Sequence, residues 1–448
     1  MRRRNILGAL ASVPAVGLTG CTAGTTRRPR GAADDELLAA AFCYGFGLYE
    51  FGRTAQVRAG PQGGRFNQVG HVARLLDHTS RAITAPNNDT VYSSASLELS
   101  GGPVEVLVPS EPKRYFSVAF MDAFTDNFAY VGTRATRGQG GRFWVVGPQW
   151  TGAAPADVSV FRASTNDVWM LGRVLVDGPQ DLEAAKALQQ RISVRQVEAS
   201  VRPRRFTVAA TRVEDPDNFL GVVNEMLARS PGGQGQTARA DRFAALGLGA
   251  GVGAASADVL AAWKDYLPRG LGALRGDSVS RELEVNGWGY PPRGVGNFGT
   301  DDRLRAAVAL GGLAALGEEE AMYFQATKDS AGDALTGARS YRFRIPPGGI
   351  PADAFWSLTM YQAEPDGRFF LVENPILRYS VGDRTPGMVK NADGSVDILI
   401  QRQAPAGPLA ANWLPAAAGS IRLSLRAYLP RRELRERLWR VPPVEPVG

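Results

Sequence analysis

Histidine and cysteine are almost absent from these 448 residues, with two of each. A zinc site of His and Cys ligands needs more of them at regular spacing, so none is expected, and neither is a disulfide framework. His71 and His78 lie seven residues apart, a spacing that would place both on one face of a helix. No G-x-S-x-G occurs, and a serine nucleophile would have only those two histidines as bases. The Gly-rich stretches GQGGR and PGGQGQ lack a following Lys-Ser/Thr, so they do not read as phosphate cradles. Strands and helices do not alternate as a dinucleotide-binding fold requires. No unit of roughly 20 to 50 residues repeats, which excludes solenoids and propellers. Lys/Arg blocks interleaved with aromatics are also missing. The formal charge of +7 falls to +4 without Arg2, Arg3 and Arg4 (7 − 3 = 4), so nucleic acid is not an expected partner.

The N-terminus carries an address. In MRRRNILGALASVPAVGLTGC, Arg2 to Arg4 form a positive segment and Ile6 to Thr19 an apolar one too short to remain in a bilayer. Leu18-Thr19-Gly20-Cys21 then resembles the lipobox of bacterial lipoproteins, whose cysteine is acylated and becomes the new N-terminus. Arg3-Arg4 resembles a twin-arginine export signal, and general secretion remains an alternative. The expectation is a signal peptide at 1–20, a flexible tether at 21–35, and lipidation with palmitate-type chains at Cys21. Each buried methylene would hold the chain on the membrane by about 0.8 kcal/mol. Cys43, within AAFCYGFGLY, reads as a small buried hydrophobe.

A 44% hydrophobic and 21% charged composition is that of a globular protein, and the length suggests two or three domains. Leu37, Leu38, Ala41, Phe42, Gly45 and Leu48 predict a helix over Glu36 to Arg53, capped by Asp34 or Asp35. Short alternating runs from Thr90 to Val176, among them VYSSASLEL, YFSVAFM and VWMLGRVLV, predict strands separated by turn clusters. DLEAAKALQQRI, DPDNFLGVVNEMLARS (with Asp217 as its cap) and DDRLRAAVALGGLAAL predict helices in the middle. Strands return with YRFRI, FWSLTMY, VDILIQR and IRLSLRAYL. The expected fold is α+β and mostly β, with two β-sandwich-like, jelly-roll-type domains and a helical middle segment. Its boundaries are 36–177 for the N-terminal helix and β-rich domain, 178–330 for the helical region, and 331–448 for the C-terminal β-rich domain.

Several ordered strings match a known pairing. PNNDTVYSSASLEL, RYFSVAFMDAFTDNFAYVGTR and RFWVVGPQW resemble the N-terminal module of a bacterial exported family, domain of unknown function 1254. FWSLTMY, ENPILRYSVGDRTPG, NADGSVDILIQ, NWLPAAAG and LRAYLP resemble its C-terminal companion, domain of unknown function 1214. The resemblance covers about residues 36 to 445. It implies two β-rich modules with helices around and between them, and it brings no established reaction.

Two polar clusters stand out. Asn87, Asn88, Asp89 and Thr90 precede a strand that also carries Tyr92. Asx side chains there can bond backbone amides two residues on, and Asp89 can pair with an arginine such as Arg134. The same residues could line a cavity that binds polyol hydroxyls, or a divalent cation as the one cofactor considered. Asp122, Asn127, Tyr130 and Arg134 form the second cluster. If Asp89 and Asp122 occupy neighbouring strand ends, they could divide acid and base roles. Trp356, Arg378 and Tyr379 suit either a ligand or an interface, with Trp356 leaning to the core. The leading expectation is an envelope lipoprotein binding a polar or carbohydrate-like small molecule, and possible processing of that ligand. The alternatives are a hydrolase using Asp89 and Asp122, and a structural envelope protein. The oligomeric state is not legible.

Overall fold

The computed structural model describes residues 32–60, 65–81, 84–198, 202–230, 235–279, 283–364 and 368–447. The leader, Cys21 and most of the tether lie outside them. Helix α1 (Ala32–Ala59) runs beyond the predicted span at both ends. Asp34 and Asp35 therefore sit within its first turn rather than capping it, where their charge complements the helix dipole. Leu38, Phe42, Phe46, Tyr49 and Phe51 are all buried, so α1 is enclosed on more than one side. It packs against α3 (Pro216–Ala228), α4 (Ala257–Val279) and α5 (Asp302–Gly312). Gly47 explains the close approach of α5: a Cβ there would lie 3.1 Å from the Arg305 side chain. Asp215, not Asp217, caps α3, because Pro216 fits the first helical position and the Asp215 carboxylate accepts from the Asp217 and Asn218 amides. Asp301 caps α5 by accepting from the Leu304 amide.

The N-terminal module contains β1 (Gly70–Val72), β2 (Thr90–Glu98), β3 (Val104–Val108), β4 (Phe116–Asp122), β5 (Asn127–Gly132), β6 (Gly141–Val146), β7 (Val158–Arg162), β8 (Asp167–Leu175) and β9 (Ser193–Gln196). They form two sheets, ordered β1-β2-β8-β4-β5 (sheet I) and β7-β6-β3-β9 (sheet II). Period-two alternation turns Val91, Ala95, Leu97, Val118, Phe120 and Met170 of sheet I toward Val104, Val106, Phe143 and Val145 of sheet II. This is the expected sandwich. Sheet II also takes β9, after helix α2 (Leu182–Gln189), so the module runs on past residue 177.

The C-terminal module contains β10 (Leu283–Val285), β11 (Trp288–Tyr290), β12 (Ala321–Ala326), β13 (Ser340–Ile345), β14 (Ala352–Ala363), β15 (Phe369–Phe370), β16 (Ser380–Gly382), β17 (Val396–Gln401), β18 (Trp413–Pro415), β19 (Ile421–Pro430) and β20 (Val444–Val447). Sheet III is β10-β11-β12-β19-β14-β15 with β16 also on β14, and sheet IV is β18-β17-β13-β20. Their facing sides bury Phe324, Trp356, Leu358 and Leu425 against Tyr341, Phe343, Ile398 and Ile400. Strands β10 to β12 lie inside the stretch read as a helical middle. They belong to sheet III because β12 pairs with β19, with Ala321 opposite Tyr428. The mostly β, α+β class holds. The helices of the middle form a layer around α1 rather than a separate linker.

The outer faces of sheets I and III meet. Tyr115, Ala119 and Leu175 pack on Ala321, Phe355 and Tyr428. The Phe355 and Tyr428 rings stack at 4.1 Å, and Tyr115 meets both edge-on at 5.4 and 5.3 Å. No helix among the described residues is long and apolar enough to cross a membrane.

Candidate functional site

Antiparallel register sets polar side chains in rows on both meeting faces. Across β4, β8 and β2, Ser117 stands beside Arg173 and Arg173 beside Tyr92. Across β12, β19 and β14, Tyr323 stands beside Arg426 and Arg426 beside Ser357. The inward neighbours on these strands fill the sandwich cores, so the rows point at the opposite module.

The 87–90 stretch joins the modules. Asn87 Oδ1 accepts from the Asp89 amide at 2.7 Å, the predicted Asx turn, while Asn87 Nδ2 donates to Tyr428 Oη at 2.7 Å. Asn88 Nδ2 donates to the Leu76 carbonyl at 2.5 Å. Asp89 is 4% exposed and accepts from Ser357 Oγ at 2.6 Å, and its partner cation is Arg384 at 3.5 Å. Arg134, proposed for that role, instead holds Glu320 at 2.7 Å and Glu319 at 3.1 Å. Tyr115 Oη donates to the same Glu320 at 2.9 Å, and Tyr130 Oη accepts from the Gly317 amide at 3.0 Å. Burial pushes the Tyr130 phenol up to about 12.

Two buried guanidiniums occupy the same seam. Arg426 donates to Thr359 Oγ1 at 2.8 Å, Tyr361 Oη at 2.6 Å and the Ala85 carbonyl at 3.3 Å. Arg173, 7% exposed, donates from Nη2 to the Ala314 carbonyl at 3.0 Å, but its buried Nη1 has no hydrogen-bond partner among the described residues. Thr90 Oγ1 and Ser117 Oγ, on the same face of sheet I, are buried and likewise unpartnered there. Neither Arg173 nor Arg426 forms an ion pair among the described residues. Burial raises the Tyr115, Tyr323 and Tyr428 phenols, so they remain neutral hydroxyls at physiological pH. The Arg173 and Arg426 pKa values are raised despite the opposing pull of burial, by the acidic phenols around both and, for Arg426, by the Asp89 carboxylate as well. The seam is thus a buried, cation-rich surface with hydroxyl donors and one charged N–H group left over.

Asp122 is elsewhere. Strands β2 and β4 both run antiparallel to β8, so they are parallel to each other. Asp89 lies just before β2, level with Val176, while Asp122 ends β4, level with Val168. Eight positions along the strand separate them, about 26 Å. The two carboxylates do not share a pocket. Asp122 instead accepts from Ser164 Oγ and, at 3.1 Å, from the Asp126 amide. Asp126 accepts from the Phe298 amide at 2.5 Å and Arg305 Nη2 at 3.1 Å, and Asn127 Nδ2 donates to the Ala315 carbonyl at 2.9 Å. This end of the sheet anchors the β4–β5 turn to the helical layer. Burial and the neighbouring Asp126 push the Asp122 carboxyl up to about 6.

The remaining candidates are structural in their contacts. Trp356 packs inside the C-terminal core, because its parity on β14 turns it away from the seam. Arg378 Nη1 donates to the carbonyls of Ala410, Ala411 and Trp413. Tyr379 Oη lies 2.7 Å from His78 Nδ1 and links the modules. His71 sits on β1, 2.9 Å from Ser93 Oγ, and His78 in a loop, so they share no helix face. Cys43 is half-buried beside a cleft of about 660 Å³ lined by Glu36, Arg239, Arg242 and Asp302. A second cleft, of about 250 Å³, is lined by His78, Arg81 and Glu364. In both, arginines already face carboxylates, Arg239 and Arg242 on Asp302 and Arg81 on Glu364. In the seam Asp89 faces Arg384 and lies near Arg426, whereas Arg173 has no carboxylate partner among the described residues. No group of three or more His, Cys, Asp or Glu among the described residues is placed to hold a metal ion.

Sequence reasoning missed Arg173, Tyr323, Arg426 and Tyr428. The available signal was an arginine inside strands as apolar as VWMLGRVLV and IRLSLRAYL.

Comparison with known proteins agrees with the architecture. Residues 66–196 match the model of the protein of unknown function DUF1254, and residues 320–432 that of the protein of unknown function DUF1214. The crystal structure of the VPA0106 protein from Vibrio parahaemolyticus is similar at a TM-score of 0.71 and 23% identity, covering 92% of this chain and all (100%) of that one. A putative uncharacterized protein from Burkholderia cenocepacia gives 0.48 at 13% identity, over 94% of this chain and 90% of its own. No curated protein matches.

Proposed function

We propose that this chain, which belongs to the family joining DUF1254 to DUF1214, binds an anionic small molecule between its two modules. The observation that carries this reading is Arg173. A guanidinium buried without a carboxylate loses its hydration and gains little in return. One of its N–H groups is left over beside the hydroxyls of Thr90 and Ser117. A ligand carboxylate would accept from Arg173 Nη1 and from one or both hydroxyls, while Tyr92 and Tyr323 flank it. A sugar acid meets this description better than a neutral sugar. The same donors would stabilise an oxyanion, and binding is the activity proposed.

Thermal-shift titration of the mature chain with glucuronate and with neutral methyl glucoside tests the reading. Glucuronate is expected to raise the melting temperature and methyl glucoside to leave it unchanged. Arg173→Gln is expected to weaken glucuronate binding at least about tenfold, the value of a charged hydrogen bond. Equal responses to both sugars, or an unaffected Arg173→Gln variant, would contradict it.

We also propose that the molecule works tethered to a membrane on its extracytoplasmic side. The lipobox-like sequence ending at Cys21 supports this, as does the Arg-bearing apolar leader before it. Labelled palmitate is expected to enter the wild type and not Cys21→Ser, which should move to the soluble fraction. Membrane retention of that variant would argue against the anchor.

A further inference from the structure

A second unneutralised guanidinium lies along the same face of sheet I. Arg58, in the last turn of α1, stacks on the Trp169 ring at 3.7 Å and donates from Nε to Ser96 Oγ at 3.2 Å. Its Nη2 is buried without a hydrogen-bond partner, and Arg58 forms no ion pair, both among the described residues. Burial lowers its pKa to about 9, which an anion held against it would reverse.

The register places this group relative to Arg173. Tyr92 pairs with Arg173, Ser94 with Leu171 and Ser96 with Trp169. Arg173 and Trp169 point to one face of β8, four residues apart, or roughly 13 Å. Between them that face presents Leu171 and Ser94, with Ala119 on β4. Tyr92, Ser94, Trp169 and Leu171 are all half-buried rather than sealed, as are Tyr323 and Gln325 of sheet III. Trp169 and Leu171 pack in part against the helical layer, so the face between the seam and the end of α1 is half-covered, with an arginine at each end and a mainly apolar middle.

We propose that the ligand is an elongated dianion, with one anionic group on Arg173, the other on Arg58, and a chain of low polarity over Leu171. This rests on the anion reading of the Arg173 seam and specifies it. Two cations at a fixed separation select for length as well as charge, because only a ligand that spans them gains both contacts. A shorter dianion leaves one end solvated and a monoanion leaves Arg58 unused.

Calorimetric titration of the mature chain with butanedioate, hexanedioate, octanedioate and decanedioate tests this, with octanoate as the monoanion. Affinity is expected to rise with length, and a long dicarboxylate to exceed octanoate by about tenfold. In Arg58→Gln the ratio of dicarboxylate to octanoate affinity is expected to fall to about one, and in Arg58→Lys to lie between. Thermal melting of both variants checks that they fold. Octanoate binding with no dicarboxylate preference in the wild type overturns the second anchor alone. An unchanged preference in Arg58→Gln does the same. No binding of octanoate or any dicarboxylate overturns the anion reading beneath it.

Discussion

Asp89→Ala is expected to destabilise the folded chain by about 3 kcal/mol, the cost of removing one partner from a buried charge contact. The carboxylate is 4% exposed and satisfies Ser357 Oγ of β14 and the Arg384 cation, both in the other module. Its loss strands that hydroxyl and leaves Arg384 and Arg426 without their shared negative neighbour. Asp89→Asn should cost less, because an amide oxygen still accepts from Ser357. Urea unfolding at neutral pH measures both. Amide exchange should quicken at the start of β2 and in the facing part of β14, because Asp89 ties those segments together. A loss under about 1 kcal/mol for the alanine variant would mean that this stretch does not anchor the modules.

Asp122→Asn is expected to stabilise the chain above neutrality. Burial and Asp126 raise the Asp122 carboxyl from an ordinary 3.8 to about 6 in the folded chain. A raised folded-state value means that the folded form holds the proton more tightly than the unfolded one. The corresponding stability is fully present below about pH 4 and is lost as pH rises through 6. The gap between 6 and 3.8 corresponds to about 3 kcal/mol at the limit. An amide at this position carries no charge to desolvate. It can still accept from the Asp126 amide and donate to Ser164. The variant should therefore exceed the wild type by about 1–3 kcal/mol at pH 8 and match it near pH 4. Urea unfolding at the two pH values decides it. A constant difference between the proteins at both would refute a raised carboxyl at Asp122.

Local patterns in the sequence were enough to place most strands, helix α5 and the Asx turn at Asn87, because each depends on neighbours a few residues away. Three features escaped for a common reason: they depend on segments distant in the sequence. Strand alternation assigns Arg173 and Arg426 to the outward faces of their sheets. It gives no sign that each outward face is covered by the other module. The short strands β10 and β11 lie inside the stretch read as a helical middle, and only the distant β12–β19 pairing reveals their sheet. Asp89 and Asp122 looked like neighbours because both flank strands of one sheet. The β2–β8–β4 order makes those strands parallel and sends the two carboxylates to opposite ends. Trp356 was legible as core from its apolar run, whereas its grouping with Arg378 and Tyr379 as ligand contacts ignored strand parity.

The central claim is that an anion sits on Arg173 between the modules. Crystals of the mature chain soaked in glucuronate test it most directly. The account predicts carboxylate density within hydrogen-bond distance of Arg173 Nη1 and of Thr90 Oγ1 or Ser117 Oγ. Ordered water on those three atoms, with glucuronate bound elsewhere or nowhere, would contradict it.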